Sequence, residues 1–360
     1  MLRMLFLLII TLHGLIHFMG FAKAYQYGNI TQLTRPISRQ AGILWLIAAL
    51  LFLAGALLFL LKKESWWMIL LPAAVISQLL IIGVWSDAKF GTIANVIIAV
   101  AAVLTIGTWI FERTYKRDVA ENTKGLPATA NLLIERDLDH LPPAVQRYLR
   151  YVGVINKPKV YNYKIIFRGE MRDKGKDWFP FTSEQYNFVD RPTRLFFMKG
   201  TMFGVTVPGY HAYKNGNASM QIKLFGLFPI VNETTGVLNK AETVTIFNDM
   251  CLMAPASLID PSIKWEQLSE NAVNATYTVK ENTVSATLYF NDHGQLVDFV
   301  SDDRYAIAEK RKYRFSTPVS DYKTINGFNL PGYGEAVWHY PDGKFTYGKF
   351  YLKDVQYNIQ

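Results

Sequence analysis

Two histidines stand where a membrane-spanning helix normally carries leucine. His13 and His17 lie in the stretch LHGLIHFMGF, inside an apolar run that begins close to the first residue. Because they are four positions apart, a helix places both side chains on one face. Polar groups are costly in hydrocarbon and usually face the interior of a helix bundle, so this spacing predicts a buried polar pair.

Further polar residues lie at the same depth as this pair if the chain crosses a membrane four times. Together they form a predicted polar cluster of His13, His17, Gln78, Asp87, Lys89, Thr92 and Asn95. Three uses are open: hydrogen bonds between helices, a ligand or proton site in which His13 titrates beside Asp87, and a zinc-like site with His13, His17 and Asp87 as ligands. The first is favoured, and we expect neither a metal nor a cofactor.

Four apolar segments are long enough to cross a hydrocarbon core, which takes about 20 helical residues. The predicted spans, within an N-terminal domain of residues 1–117, are 4–22, 41–61, 66–85 and 90–111. The first segment also has features of a cleavable secretory signal, since Arg3 precedes it and AKA follows at 22–24. Its length and its two histidines favour a retained span.

The net charge of +9 is concentrated around the apolar segments. Residues 1–118 carry 10 Lys/Arg and 4 Asp/Glu, a net of +6, whereas residues 119–360 carry 28 and 25, a net of +3. The nearly neutral second half lacks the basic face that nucleic-acid binding needs, so we exclude that function. Six Lys/Arg flank one side of the predicted bundle and four flank the other. The positive-inside rule therefore leans towards a cytoplasmic C-terminal domain, on a multi-pass protein of the plasma (inner) membrane.

From residue 159 to residue 360 the pattern changes to alternation with period two. Segments such as KVYNYKIIFRGEM and ATYTVKENTVSATLYF are rich in Tyr, Val and Thr, and turn signals such as KNGN and INGF separate them. This pattern predicts a large antiparallel sheet of about nine to eleven strands. Residues 236–260 have helical spacing and form a predicted insertion, and residues 118–158 form a connector with one short amphipathic helix.

The predicted helical insertion carries three candidate ligand-binding residues. If this helix covers a concave sheet, Glu242 faces an apolar cavity and has a raised pKa. Alternatively, Glu242 lies in the first helical turn and interacts with the helix dipole, which we prefer. Met250 and Met253 would line a lipid pocket or belong to an ordinary core.

Catalytic motifs are missing from the sequence. It contains no G-x-S-x-G, H-E-x-x-H, P-loop or dinucleotide fingerprint. Cys251 is the single cysteine, which excludes an intramolecular disulfide and a CxxC-type metal site. Asp321, Glu335 and His339 are interpreted as solvated strand residues. An enzyme is therefore less favoured than a binding protein.

Several stretches resemble a group of uncharacterised bacterial proteins with four membrane helices followed by a domain of unknown function. They are HGLIHFMGFAKAY, WSDAKFGTIANVI, HLPPAVQRYLRYVGV and GFNLPGYGEAVWHYPDGKFTYGKF. More remotely, the helix between strands and the late hairpin DHGQLVDFVSDDRY are similar in layout to lipoprotein carriers, which are open, curved half-barrels with helices plugging the concave face.

The two resemblances imply a four-helix membrane bundle followed by a mainly antiparallel β domain, shaped as a curved open sheet or half-barrel with a plugging helix. The implied function is a membrane-anchored module that binds a lipid, an acyl chain or a lipoprotein. A sensor, transporter or enzyme that uses the polar cluster, and a structural or assembly protein of the membrane, are the alternatives.

Overall fold

The computed structural model describes residues 2–127, 131–202, 204–307 and 309–360. The chain divides into two compact units, Met1–Ile110 and Phe111–Gln360. Each unit has its own hydrophobic core.

The first unit is helical. Its elements are α1 (Leu2–Ala24), α2 (Arg39–Leu60), α3 (Trp67–Gly83), the single-turn α4 (Trp85–Ala88) and most of α5 (Gly91–Thr123). Four helical segments of the described chain are long and apolar enough to cross a membrane: Leu2–Ala24, Arg39–Leu60, Glu64–Gly83 and Gly91–Thr123.

Helix α5 extends further than the sequence pattern indicates. The predicted span ends at residue 111 and the predicted connector begins at residue 118, whereas the helix continues to Thr123. Lys116 Nζ lies 2.8 Å from Oε1 of Glu112. This salt bridge has i, i+4 spacing and stabilises helical structure in the polar residues beyond the apolar segment.

Glycines bring α1 and α2 close together. A Cβ added at Gly20 would lie 2.1 Å from the ring of Trp45, and one added at Gly14 would lie 2.9 Å from Cβ of Phe52. Small residues at such contacts let helix backbones approach closely, which is how helices pack in membranes. The packing in this unit therefore depends on the absence of side chains at these two positions.

The second unit is built on one antiparallel sheet. Its strands are β1 (Asn162–Met171), β2 (Phe179–Phe188), β3 (Thr193–Met202), β4 (Val205–Lys214), β5 (Asn217–Leu224), β6 (Phe228–Glu233), β7 (Ile263–Ser269), β8 (Ala272–Val279), β9 (Asn282–Phe290), β10 (Leu296–Ser301), β13 (Arg314–Ser316), β14 (Val319–Ile325), β15 (Phe328–Tyr340) and β16 (Gly343–Tyr357). A separate short hairpin pairs β11 (Tyr305–Ala306) with β12 (Arg311–Lys312).

The strand order is β6-β5-β4-β3-β2-β1-β16-β15-β13-β10-β9-β8-β7, with β14 paired to β15. Within the described residues the two edge strands, β6 and β7, do not pair with each other, so the sheet is open. The predicted antiparallel sheet is confirmed, as are the hairpin turns at Asn215–Gly216 and Asn326–Gly327, where all four residues have positive φ. The predicted count of nine to eleven strands is too low, because short strands such as β13 carry no alternation that the sequence reveals.

Two helices cover the sheet. Helix α6 (Pro143–Val152) ends at Gly153, whose φ of 80° is left-handed, and the hydroxyl of Tyr148 donates to the carbonyl of Cys251 at 2.8 Å. Helix α7 (Gly236–Met253) contacts β4 and β5 as well as β9 and β10. Because these strand pairs are far apart in the sheet order, the sheet must curve around α7. The helix therefore plugs the concave face, as the fold class predicts.

Candidate functional site

A cavity of about 200 Å³ lies between α7 and the concave face of the sheet. Its apolar wall includes Phe167, Phe196, Leu252, Met253, Phe315 and Phe350. Its polar wall includes Gln185, Arg194, His211, Glu242, Asp249, Arg304 and Glu335. For scale, an engineered apolar cavity of about 150 Å³ binds benzene. The cavity therefore has room for a small ring or a short chain segment, and it is too small for a whole two-chain lipid.

Arg194, on β3, joins the sheet to α7. Its Nε donates to Oδ2 of Asp249 at 2.7 Å, and its Nη1 donates to Oε2 of Glu242 at 3.1 Å. Its Nη2 donates to Oε1 of Gln185 on β2 at 3.1 Å. Residues 242 and 249 are two turns apart and share a face of α7. These four residues form the Arg194 network, which holds α7 against the sheet.

The environment of Glu242 differs from both sequence predictions. Burial by itself would raise the pKa of Glu242, but the adjacent His211 and the charges of Arg194 and Arg304 outweigh it and lower the pKa to about 2. The predicted raised pKa is therefore wrong, because charged partners and not only apolar groups surround the carboxylate. The dipole interpretation is also wrong, since α7 begins at Gly236 and its first turn contains no acidic residue.

The two methionines of α7 lie in different places. Met253 contributes to the cavity wall. Met250 is buried in the hydrophobic core of the second unit and is not among the residues of the cavity wall.

Sequence reasoning missed several cavity residues. The sequence pattern does not single out Arg194 or Arg304, and it assigns Glu335 to the solvated side of a strand. Glu335 is half-buried in the cavity wall, where it accepts hydrogen bonds from the hydroxyls of Tyr333 at 2.6 Å and Thr346 at 3.2 Å. The one available signal was Arg194 itself, a charge within the apolar segment TRLFFMKGTM.

In the first unit, Ser77 is the centre of the hydrogen bonds around the two histidines. The carbonyl of His13 can only accept, so Nδ1 of His17, at 2.7 Å, carries the proton. Nε2 of the neutral His17 ring then accepts from the hydroxyl of Ser77 at 2.8 Å. His13 Nε2 donates to Oδ1 of Asn95 at 2.9 Å and lies 3.2 Å from Ser77 Oγ.

Two further amides complete this arrangement. Nδ2 of Asn95 donates to Ser77 Oγ and to Oε1 of Gln78, both at 3.0 Å, and Nε2 of Gln78 donates to Thr92 Oγ1 at 3.1 Å. We call His13, His17, Ser77, Gln78, Thr92 and Asn95 the bundle network. All of its members except Ser77 were in the predicted polar cluster.

Asp87 and Lys89 do not take part in the bundle network. Oδ2 of Asp87 accepts from the backbone N–H groups of Thr34 at 2.6 Å and Arg35 at 3.2 Å. These bonds connect the loop between α1 and α2 to α4. Lys89 Nζ lies 5.4 Å from the ring centroid of Phe90. In the described part of the chain, no group of three or more His, Cys, Asp or Glu side chains is placed to hold a metal ion. The zinc-like alternative therefore lacks its third ligand.

A second cavity, of about 470 Å³, lies beside the bundle network. His13, His17 and Asp87 contribute to its wall. The remaining wall is almost entirely apolar and includes the exposed side chains of Leu12 and Phe90.

Comparison with known proteins gives one family match. Residues 132–350 match a family model described as a family of unknown function, DUF6544. No curated protein matches the chain in sequence.

Among solved structures, the chain is similar to the LolA superfamily protein NE2245 from Nitrosomonas europaea, with 9% identity and a TM-score of 0.34, over 60% of this chain and 93% of that one. It is also similar to a beta-barrel-like protein of DUF1849 from Brucella abortus, with 9% identity and a TM-score of 0.19, over 56% and 99% of the two chains. At these scores neither likeness assigns a function.

Proposed function

We propose a function for this chain, which belongs to the family of unknown function DUF6544: it is a membrane-anchored module that binds a small apolar or amphiphilic ligand. The ligand occupies the cavity between α7 and the sheet. The observation that supports this proposal is the cavity itself, a space of about 200 Å³ with a mainly apolar wall and a few charged side chains. Small-molecule sites have this composition, in which apolar groups give affinity and a few polar groups fix orientation.

The helical unit supports the membrane part of the proposal. Phe90 is 74% exposed, Leu79 66% and Ile93 60%, which water would disfavour and acyl chains would accommodate. We place the protein in the bacterial plasma (inner) membrane as a multi-pass protein, with the charge count leaning towards a cytoplasmic second unit. Its partners are then the lipid bilayer and a lipid-like ligand.

The bundle network supports a structural role for the two histidines. Its donors and acceptors pair with one another, which is how polar side chains hold helices together in a membrane. The neighbouring cavity is walled partly by exposed Leu12 and Phe90, so in a bilayer lipid chains would reach it. We therefore assign ligand binding to the second unit rather than to the bundle.

Calorimetric titration with octan-1-ol tests the binding proposal. The full chain is reconstituted in lipid nanodiscs, and empty nanodiscs provide the baseline for partitioning into lipid. We expect saturable binding with a negative heat-capacity change, the mark of apolar burial. Thr245 lines the cavity and is half-buried, so Thr245→Phe should fill the space and abolish saturable binding.

Val237 provides the matched control on the same helix. It is half-buried in the first turn of α7 and lies outside the cavity wall, so Val237→Phe should bind octan-1-ol like the wild type. Equal heats for the wild type and Thr245→Phe, with both variants folded by circular dichroism, would contradict the proposal.

A topology reporter tests the proposed orientation. Alkaline phosphatase fused after Gln360 is active only on the outer side of the plasma membrane. The charge count predicts an inactive fusion, and a green fluorescent protein fusion at the same position should be fluorescent. The reverse pattern would place the sheet outside the cytoplasm.

A further inference from the structure

Two arginines contribute to the cavity wall, and they differ in their partners. Arg194 is paired with Asp249 and Glu242. Arg304 has no carboxylate within ion-pair distance and donates no side-chain hydrogen bond to any residue that the structure describes. Its guanidinium carbon instead lies 4.0 Å from the ring centroid of Phe315 and 5.6 Å from that of Trp338.

Stacking leaves the polar edge of Arg304 without a protein acceptor. A guanidinium has five N–H donors in its plane, and a ring packed against its face satisfies none of them. Arg304 is half-buried and shares the cavity wall with Phe315 and Tyr347. Glu242 is near enough for the charge of Arg304 to lower its pKa, but it accepts no hydrogen bond from Arg304, so an anion that accepts from these N–H groups would still be stabilised.

The carboxylates around the cavity already have donors. Glu242 and Asp249 are bound by Arg194, and Glu335 accepts from the hydroxyls of Tyr333 and Thr346. A cationic ligand would therefore have to displace existing bonds, whereas an anionic ligand would meet donors that have no protein acceptor. The N–H donors of Arg304 that lack an acceptor thus favour an anion at this arginine, although carboxylates outnumber arginines in the wall.

We infer that the ligand is a single-chain amphiphile with an oxyanion head, a carboxylate or a phosphate, which Arg304 binds while the short apolar chain occupies the cavity. This inference rests on the proposed function and adds the chemical class of the ligand to it. The planar guanidinium matches either head through two parallel N–H···O bonds. The cavity of about 200 Å³ sets the length of the chain.

Four ligands with the same eight-carbon chain test the inference: octan-1-ol, octanoate, octyl phosphate and octylammonium. They are titrated by calorimetry at pH 7.5 into the full chain in nanodiscs made of zwitterionic lipid. We expect octanoate or octyl phosphate to bind about tenfold more tightly than octan-1-ol, because a hydrogen-bonded charge pair adds to the same apolar contact. Whichever oxyanion is preferred identifies the head.

The variants R304Q and R304K assign that preference to the arginine. R304Q should bind the preferred oxyanion about tenfold more weakly than the wild type does. R304K keeps the charge but cannot form the bidentate hydrogen bonds of a guanidinium, so its affinity for the oxyanion should lie between those of the wild type and R304Q. A thermal melt of each variant verifies that it is folded, and the comparison of the four ligands on the wild type needs no variant.

The contrary results separate the two proposals. If no ligand binds saturably, the proposed function fails and the inference fails with it. If octan-1-ol binds and neither oxyanion binds more tightly, the inference alone is overturned. Tightest binding of octylammonium, or unchanged oxyanion affinity in folded R304Q, also overturns it.

Discussion

The two units bury polar side chains by different chemistry. The bundle network consists of neutral groups, two imidazoles, two amides and two hydroxyls, each within hydrogen-bond distance of another. The Arg194 network joins one cation to two carboxylates and an amide, and Arg194 itself is only 7% exposed. In surroundings of low dielectric constant, a neutral group that loses its partner costs far less than a charge that does.

The two units also differ in whether a buried donor lacks an acceptor. The members of the bundle network pair with one another through neutral groups, while His13 and His17 also contribute to the wall of the neighbouring cavity. The charged cavity of the second unit contains Arg304, whose donors have no acceptor among the described residues. The comparison predicts that substitutions in the Arg194 network lower the free energy of unfolding strongly, and that substitutions in the bundle network lower it only slightly.

The largest loss of stability is expected from Arg194→Met, which leaves the buried Glu242 and the half-buried Asp249 without the cation they share. Removing one partner of a buried ion pair costs about 3–5 kcal/mol of unfolding free energy. The measurement is thermal and denaturant unfolding of the full chain in nanodiscs, followed by circular dichroism. Lys174→Met is the control, because its ion pair with Asp342 is exposed and should contribute less than about 1 kcal/mol.

A triple variant sharpens this result. Adding Glu242→Gln and Asp249→Asn to Arg194→Met removes the unpaired charges, so much of the lost stability should return. If the triple variant is no more stable than Arg194→Met, the carboxylates were not the source of the cost.

The next effect concerns helix packing in the first unit. Gly20→Ala places a methyl group against Trp45, where an ideal Cβ would be 2.1 Å away, so α1 and α2 must separate. Overpacking of this kind costs about 1–3 kcal/mol. Gly83→Ala is the matched control, since nothing lies within 4 Å of an added Cβ there. Equal melting temperatures for the two variants in nanodiscs would show that the packing of α1 against α2 does not require glycine at position 20.

Substitutions in the bundle network should destabilise the protein less. Ser77→Ala removes the donor to His17 and an acceptor for Asn95, and we expect a loss of about 1 kcal/mol. Thr105→Ala is the control, because its hydroxyl bonds only the carbonyl of Ala101 in its own helix. A loss from Ser77→Ala as large as that from Arg194→Met would remove the distinction between the two networks.

Asp298 on β10 belongs to neither network and provides a test through pH. Its Oδ1 is buried and has no hydrogen-bond partner among the described residues, and burial raises its pKa to about 6. A carboxyl group whose pKa is higher in the folded state destabilises the fold as pH rises from about 4, its ordinary pKa, to about 6. Asp298→Asn should therefore stabilise the protein at pH 7, by less than the about 3 kcal/mol that this rise in pKa corresponds to, because the carboxyl is only half-buried.

This gain should shrink as the pH falls through about 6 and disappear below about 3, where the carboxyl is protonated in both the folded and the unfolded wild type. Melting temperatures of the wild type and Asp298→Asn across that range are the measurement. Asp302→Asn is the control, because its ion pair with Arg314 is exposed. A gain from Asp298→Asn that does not change with pH would exclude carboxylate ionisation as its cause.

The sequence by itself determined the features that repeat along the chain. Apolar segments of about 20 residues predicted the four long helices, and alternation with Asn-Gly turns predicted the antiparallel sheet. Helical spacing at 236–260 predicted α7. These features depend on neighbours in sequence, so a local pattern is enough to predict them. Where the local pattern is weak, as in β13 and in the polar end of α5, the prediction failed.

Only the tertiary structure decided which polar groups meet. His17 bonds Ser77, 60 positions away, whereas Asp87 of the same predicted cluster bonds Thr34 instead. Arg194 meets Glu242 and Asp249 because the sheet curves around α7, and nothing in the spacing of these residues along the chain indicates it. Strand register, sheet curvature and helix rotation set these contacts, and all three are decided by the packing of the whole unit.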